Sequence, residues 1–177
     1  MIIFLGLPKC GTMSFTESFN AAGYKAVHWT NHTGEYVGKL MLDALRGGRK
    51  LFSFLSEYNV FTQMDVCLPD KNICLFPQSD LFELLYRQYR DALFILNHRD
   101  TDNHVKSICS WGGLKERLRL FDIIDLTAFV DDHNEKIRNF FSGKTNFLEF
   151  NIESDTNEKL CSFINSPIEL VHINKSA

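Results

Sequence analysis

The run Ile2-Ile3-Phe4-Leu5-Gly6-Leu7-Pro8-Lys9-Cys10-Gly11-Thr12-Met13-Ser14 decides how this chain is read. Ile2 to Leu5 is an unbroken apolar stretch, the mark of a strand buried on both faces of a parallel sheet. It passes directly into a turn bounded by Gly6 and Gly11. A helix is predicted from Thr12 to Ala22, closed by Gly23, and Tyr24 to His28 reads as a second strand. Residues 2–28 therefore form a βαβ unit, the building block of α/β folds.

Downstream, Glu35 to Leu45 is predicted helical and stopped by Gly47-Gly48, Leu51 to Tyr58 forms a shorter helix, and Val60 to Met64 a strand. Pro69 to Pro77 reads as a loop. Asp80 with Glu83 resembles a capping box at the head of a helix reaching Tyr89. Leu93 to Asn97 is a buried strand, and Asp100 to Trp111 a helix ended by Gly112-Gly113. Asp122 to Phe141 is a long amphipathic helix, with Ile123, Leu126, Val130, Ile137, Phe140 and Phe141 recurring at helical spacing. Asn146 to Phe150 is the last strand and Asn157 to Ile164 the last helix. This alternation predicts a three-layer α/β fold with a mostly parallel central sheet, in one domain over residues 1–177.

Composition narrows the partners. The 177 residues, 45% hydrophobic and 23% charged, suit one compact core. With 22 acidic and 19 basic side chains the net charge is −3, so the broad basic surface of a nucleic-acid-binding protein is missing and any polyanion site must be local. The 16 Phe and only 4 Pro argue for a chain that folds throughout. No hydrophobic run approaches the roughly 20 residues that cross a bilayer, and Met1 to Leu5 lacks the form of a signal peptide, so a cytoplasmic protein without a membrane role is expected. Cys10, Cys67, Cys74, Cys109 and Cys161 form no Cys-x-x-Cys pair and read as reduced thiols, with neither a disulfide framework nor a zinc site.

The glycine-bounded loop is the strongest chemical signal. Its backbone N–H groups, with a helix N-terminus behind them, suit a phosphate-like anion. The Gly6 to Gly11 spacing matches the NTPase P-loop, but that motif requires Lys and then Ser or Thr after the second glycine, where Thr12 and Met13 stand. The lysine has moved inside the loop, to Lys9. The plain alternative is a Gly-Pro turn that merely joins strand to helix. A second signal is Arg99, directly after the strand ending in Asn97-His98, with Ser107 eight residues further on. A guanidinium beyond the carboxyl end of a parallel strand stands where ligands bind in such sheets.

Pro8, Lys9, Gly11, Thr12 and Ser14 resemble the 5′-phosphosulfate-binding loop of sulfotransferases that use 3′-phosphoadenosine 5′-phosphosulfate (PAPS), and Arg99 with Ser107 resembles that family's 3′-phosphate pair. Gly23-Tyr24, His28, Arg99-Asp100 and the tail from Leu160-Cys161 to Asn174 resemble a branch of small sulfotransferase-like proteins. The resemblance implies a P-loop-like topology, PAPS as donor with PAP as product and no metal, a small-molecule or glycan acceptor, and Lys9 beside the leaving phosphate. Pro8, Lys9, Cys10, Gly11, Thr12, Met13 and Ser14, with Arg99 and Ser107, would hold the donor. Cys10 and Met13 depart from the usual loop residues, and no Arg-Lys-Gly segment closes the chain, Lys175 being a poor substitute. A nucleotide kinase and a catalytically inactive PAP-binding relative remain as alternatives, and a homodimer is left open.

Transfer to a hydroxyl or amine needs a general base. Asp65, after the strand Val60 to Met64, is the first candidate; a loop cap or solvated carboxylate is its plain reading. His28 is the second, with a packed histidine as the alternative, and His32 and His104 rank lower. His98, His133 and His172 show no metal-ligand spacing. Cys10 lacks the arginine that a phosphatase loop carries six residues on, where Thr16 stands. Trp29, Phe61, Phe76 and Trp111 could line a ligand slot but read first as core, and Lys115, Arg117 and Arg119 read first as a solvated basic face.

Overall fold

The computed structural model describes residues 1–171, so Asn174 and Lys175 of the tail, together with His172, lie outside the described residues. In chain order the strands are β1 (Ile2–Phe4), β2 (Ala26–His28), β3 (Val60–Gln63), β4 (Val66–Leu68), β5 (Ile73–Leu75), β6 (Leu93–His98) and β7 (Phe147–Asn151). The helices are α1 (Thr12–Ala21), α2 (Val37–Arg46), α3 (Pro77–Asp80), α4 (Phe82–Gln88), α5 (Thr101–Cys109), α6 (Leu114–Arg119), α7 (Leu126–Phe141) and α8 (Asn157–Ile164).

The central sheet is five-stranded and parallel throughout, in the order β2-β3-β1-β6-β7. Ile2 of β1 lies opposite Val60 of β3 on one side and Leu93 of β6 on the other. Period-two alternation then divides the core. Ile3 and Leu5 face the layer that buries Met41 of α2, Leu85 of α4 and Ile137 and Phe141 of α7. Ile2 and Phe4 face Phe15 and Phe19 of α1 and Leu160 and Ile164 of α8. The three layers expected from the alternating pattern are therefore present, and β1 is apolar at every position because both of its faces are covered.

A third apolar cluster sets the site. Leu7, at the start of the loop after β1, packs with Ile108 of α5, Leu114 and Leu118 of α6, and Leu126 and Val130 of α7. These helices gather near the carboxyl edge of the sheet. The strand order reverses between β1 and β6, so the loops leaving these neighbouring strands diverge and open a crevice, the usual ligand position in open α/β sheets.

Several local expectations are corrected. Leu51 to Tyr58 is not a helix but a series of turns, because the Leu51 and Phe52 amides donate to Gln88 Oε1 and the Tyr89 hydroxyl (both 2.8 Å) while Leu51, Phe52 and Leu55 enter the core. Residues 69–77 are not all loop: β4 and β5 form an antiparallel hairpin across a short 3₁₀ turn, Pro69–Lys71. Asp80 does not cap a long helix; it ends the single turn α3 and accepts from the Phe76 amide at 2.9 Å. The basic run, for which no element was predicted, forms helix α6, which buries Leu114 and Leu118 and leaves Lys115, Arg117 and Arg119 unburied. Predicted from Asp122, α7 starts at Leu126, where Asp125 accepts from the Ala128 amide at 3.0 Å.

Candidate functional site

Cavity at the carboxyl edge

The loops after β1, β2 and β6 share a cavity of about 830 Å³. Its wall includes Pro8, Lys9, Gly11, Thr12, Met13 and Ser14 from the first loop, His28 and Trp29 after β2, and Arg99 and Ser107 from β6 and α5. Two patches separated by 85 residues or more in sequence thus meet at one wall, as parallel pairing of β1 with β6 requires.

Lys9 and Gly11 both hold left-handed backbone, at φ 74° and 72°. Gly11 adopts this conformation without cost, whereas a lysine there carries strain of about 1 kcal/mol or more, a kind of strain that clusters at ligand clamps. Asn97 of β6 clasps the loop from beneath: its Oδ1 accepts from the Gly6 amide at 2.9 Å and its Nδ2 donates to the Cys10 carbonyl at 2.7 Å. A side chain at Gly6 has no space, since a Cβ there would lie 2.1 Å from the Asn97 carbonyl oxygen. His104 of α5 adds a further prop, with Nε2 2.8 Å from the Pro8 carbonyl. Burial lowers the His104 pKa to about 4, so the ring is neutral and Nε2–H is the donor.

Cys10 does not belong to the cavity wall. Its side chain is 1% exposed, and Sγ lies 3.5 and 3.4 Å from the two ring nitrogens of His104. Burial raises the thiol pKa, the reverse of what a nucleophilic cysteine needs. Cys10, expected among the donor-binding loop residues, therefore turns its side chain away from the cavity and meets the loop through its backbone.

Polar chain behind Thr12

Thr12 connects the loop to the sheet. Its hydroxyl donates to Gln63 Oε1 at 2.8 Å and lies 3.0 Å from His28 Nε2, while Gln63 Nε2 donates to Asp65 Oδ2 at 3.3 Å. These directions agree with one another. The Asp65 carboxylate orients the Gln63 amide, Gln63 Oε1 accepts from the Thr12 hydroxyl, and Thr12 Oγ1 is left to accept from His28 Nε2–H, which makes Nδ1 the basic nitrogen of the neutral ring. An irregularity in the β2–β3 register after Val27 brings His28 opposite Gln63.

His28 lines the cavity; Asp65 does not. Asp65 is 5% exposed, and Oδ1 has no hydrogen-bond partner among the described residues. Burial pushes its pKa up to about 6, against the opposing effect of the Gln63 hydrogen bond. The first-ranked base candidate thus sits behind the wall, two hydrogen bonds from Thr12, while the second-ranked one faces the crevice. Burial lowers the His28 pKa, so its ring is neutral near pH 7. His32 is exposed beside Tyr58 and Glu57, and His98 pairs with Glu149 at 2.9 Å.

Cations and aromatics at the rim

Lys9 Nζ lies 5.1 Å from the Trp111 ring centroid, and the Arg117 guanidinium lies 5.6 Å from the same ring. Burial, with the nearby charge of Arg99, lowers the Lys9 pKa. Trp29 and Trp111 line the cavity, whereas Phe61 and Phe76 are core. Arg99 is bound to a carboxylate that the sequence did not single out: its Nε and Nη2 donate to Glu153 Oε1 at 3.0 and 2.7 Å.

Family

The profile of a family described as sulfotransferase domain matches residues 1–123, a span that carries the glycine loop, His28, Asp65, Arg99 and Ser107. The chain belongs to the sulfotransferase domain family. No curated protein matches the sequence. The matched part of this sulfotransferase domain contains β1 through α6 and supplies the loop and the Arg99-Ser107 pair; Glu153 and Asp155, which also line the cavity, lie beyond it. Gln63, Asn97 and Glu153 were given no role from the sequence, and His104 only that of a lower-ranked base candidate. Each acts through a contact across the sheet, and no local pattern marks them.

Proposed function

We propose that the protein transfers the sulfuryl group of PAPS to an acceptor hydroxyl or amine. One observation carries this reading: Lys9, Thr12, Ser14, Arg99, Ser107 and His28 line a single cavity at the carboxyl ends of β1, β2 and β6. The donor set suits a nucleotide with phosphate groups at both ends, because a loop at a helix N-terminus with its lysine, and a guanidinium with a hydroxyl, line the same cavity.

When bound, PAPS supplies a sulfuryl group on a good phosphate leaving group. Every other role falls to this chain. The loop amides, with the Thr12 amide at the head of α1, and Ser14 hold the 5′ end, and Lys9 Nζ neutralises charge developing on the bridging oxygen. Arg99 and Ser107 hold the 3′-phosphate. His28, neutral because of burial, takes the acceptor's proton at Nδ1 while Thr12 and Gln63 fix the ring through Nε2.

Calorimetric titration tests the donor assignment. PAP is expected to bind without Mg²⁺ and more tightly than ATP with Mg²⁺, and Arg99→Ala is expected to lose PAP binding; binding of ATP with Mg²⁺ alone would overturn the reading.

A further inference from the structure

The guanidinium proposed to read the donor's 3′-phosphate is already engaged by an anion of the chain itself. Glu153 follows β7, in a turn whose neighbour Ile152 donates its amide to the His98 carbonyl at 2.9 Å. This attachment delivers the Glu153 carboxylate to the start of α5. There Oε1 accepts from Arg99 Nε (3.0 Å), Arg99 Nη2 (2.7 Å) and Asn103 Nδ2 (3.1 Å), and Oε2 accepts from the Asp100 amide (3.0 Å). Guanidinium, side-chain amide and backbone N–H at a helix start are the groups that would receive a phosphate. Both Arg99 and Glu153 line the cavity.

The arrangement has an electrostatic consequence. The Arg99–Glu153 pair carries no net charge, so it attracts a dianionic phosphate far less than a bare arginine does. A phosphate at Arg99 must also approach a carboxylate or displace it, at a cost that grows in a partly desolvated cleft. Burial nudges the Glu153 pKa up, but the Asp100 amide and Arg99 outweigh it, so the carboxylate stays ionised near neutral pH.

We propose that Glu153 is a built-in competitor for the 3′-phosphate at Arg99, and that it sets both donor affinity and the discrimination between 3′-phosphorylated and 3′-unphosphorylated nucleotides. The proposal rests on the PAPS reading of the cavity and goes beyond it. It assigns a specificity role to a residue outside the matched family segment, and it predicts that this chain prefers PAP over AMP only weakly.

Glu153→Gln is the direct test, because it removes the charge and keeps an oxygen acceptor for Arg99 and Asn103. Wild type, Glu153→Gln and Arg99→Ala are titrated with PAP and with AMP, which lacks the 3′-phosphate. The expected result is PAP affinity about tenfold higher in Glu153→Gln, AMP affinity within about twofold of wild type, and loss of the PAP preference in Arg99→Ala. PAP affinity unchanged or reduced in Glu153→Gln would instead make Glu153 a residue that merely orients Arg99, and would overturn the proposal while leaving the donor reading intact. An equal gain for PAP and AMP would also overturn it. The PAP-to-AMP ratio within one variant decides the matter even if the substitution lowers folding stability, since partial unfolding weakens both ligands alike. If neither wild type nor Glu153→Gln binds PAP, the donor reading falls and takes the proposal with it.

Discussion

His28 and Asp65 flank the polar chain behind Thr12, yet only the histidine reaches the cavity. Their substitutions should therefore separate. His28→Asn is expected to lower turnover by about 100-fold or more with PAPS and a working acceptor, as loss of a general base does, while Asp65→Asn stays within about tenfold of wild type. Equal losses would return the base assignment to Asp65. Stability should respond in the other direction. Asp65 has a native pKa of about 6, raised from 3.8, so its ionisation opposes folding: the stability it contributes is complete below pH 3.8 and is lost as the pH rises through 6. Asp65→Asn should accordingly be more stable than wild type at pH 7.5, by about 3 kcal/mol, with the gain shrinking as the pH falls toward 4; urea unfolding at several pH values measures this.

At the scale of elements, the loop after β1 depends on a strand that it never follows in sequence. Gly6 and Cys10 hang on Asn97 of β6, and the space above Gly6 is filled by the Asn97 backbone. Asn97→Ala would strand a buried N–H and a buried carbonyl, an expected loss of about 2–4 kcal/mol in denaturant unfolding. It should weaken PAP binding as well. Asp125→Ala, at the head of α7 and away from the cavity wall, should cost about 1 kcal/mol and leave PAP affinity unchanged. The pair tells loop support apart from general destabilisation.

Across the whole molecule, two buried histidines tie helices to the loop that follows β1. His104 Nε2 donates to the Pro8 carbonyl, and His133 Nε2, 2.8 Å from the Leu5 carbonyl, ties α7 to the end of β1. Burial lowers both pKa values to about 4 from 6.5. Stability from such groups is complete above pH 6.5 and is lost as the pH falls toward 4, because the unfolded chain takes up protons that the folded one refuses. Asp65 works against this over part of the same range. The net expectation is a loss of about 2 kcal/mol between pH 7 and pH 5, seen as a falling urea midpoint. A midpoint that rises over that interval would show that the histidines are not buried neutral in solution.

Much of the fold and part of the site were legible because their signals are local. The apolar run of β1, the glycine loop and the Arg99 to Ser107 spacing each lie within a few turns of chain, and α8 was read at its observed bounds, Asn157–Ile164. Shorter elements failed for the same reason: β4 and β5 have three residues each, too few for a period to show, and the turns at Leu51 to Tyr58 obey Gln88 and Tyr89 rather than local preference. Thus the sequence by itself determined the α/β class, the glycine-bounded loop and the residues proposed to hold a phosphosulfate nucleotide. Only the tertiary structure decided that His28 rather than Asp65 faces the cavity, that Cys10 turns inward, and that Glu153 holds Arg99. The physical reason is parallel pairing, which sets β1 between β3 and β6 and converts residues dozens of positions apart into hydrogen-bond partners that no spacing along the chain encodes.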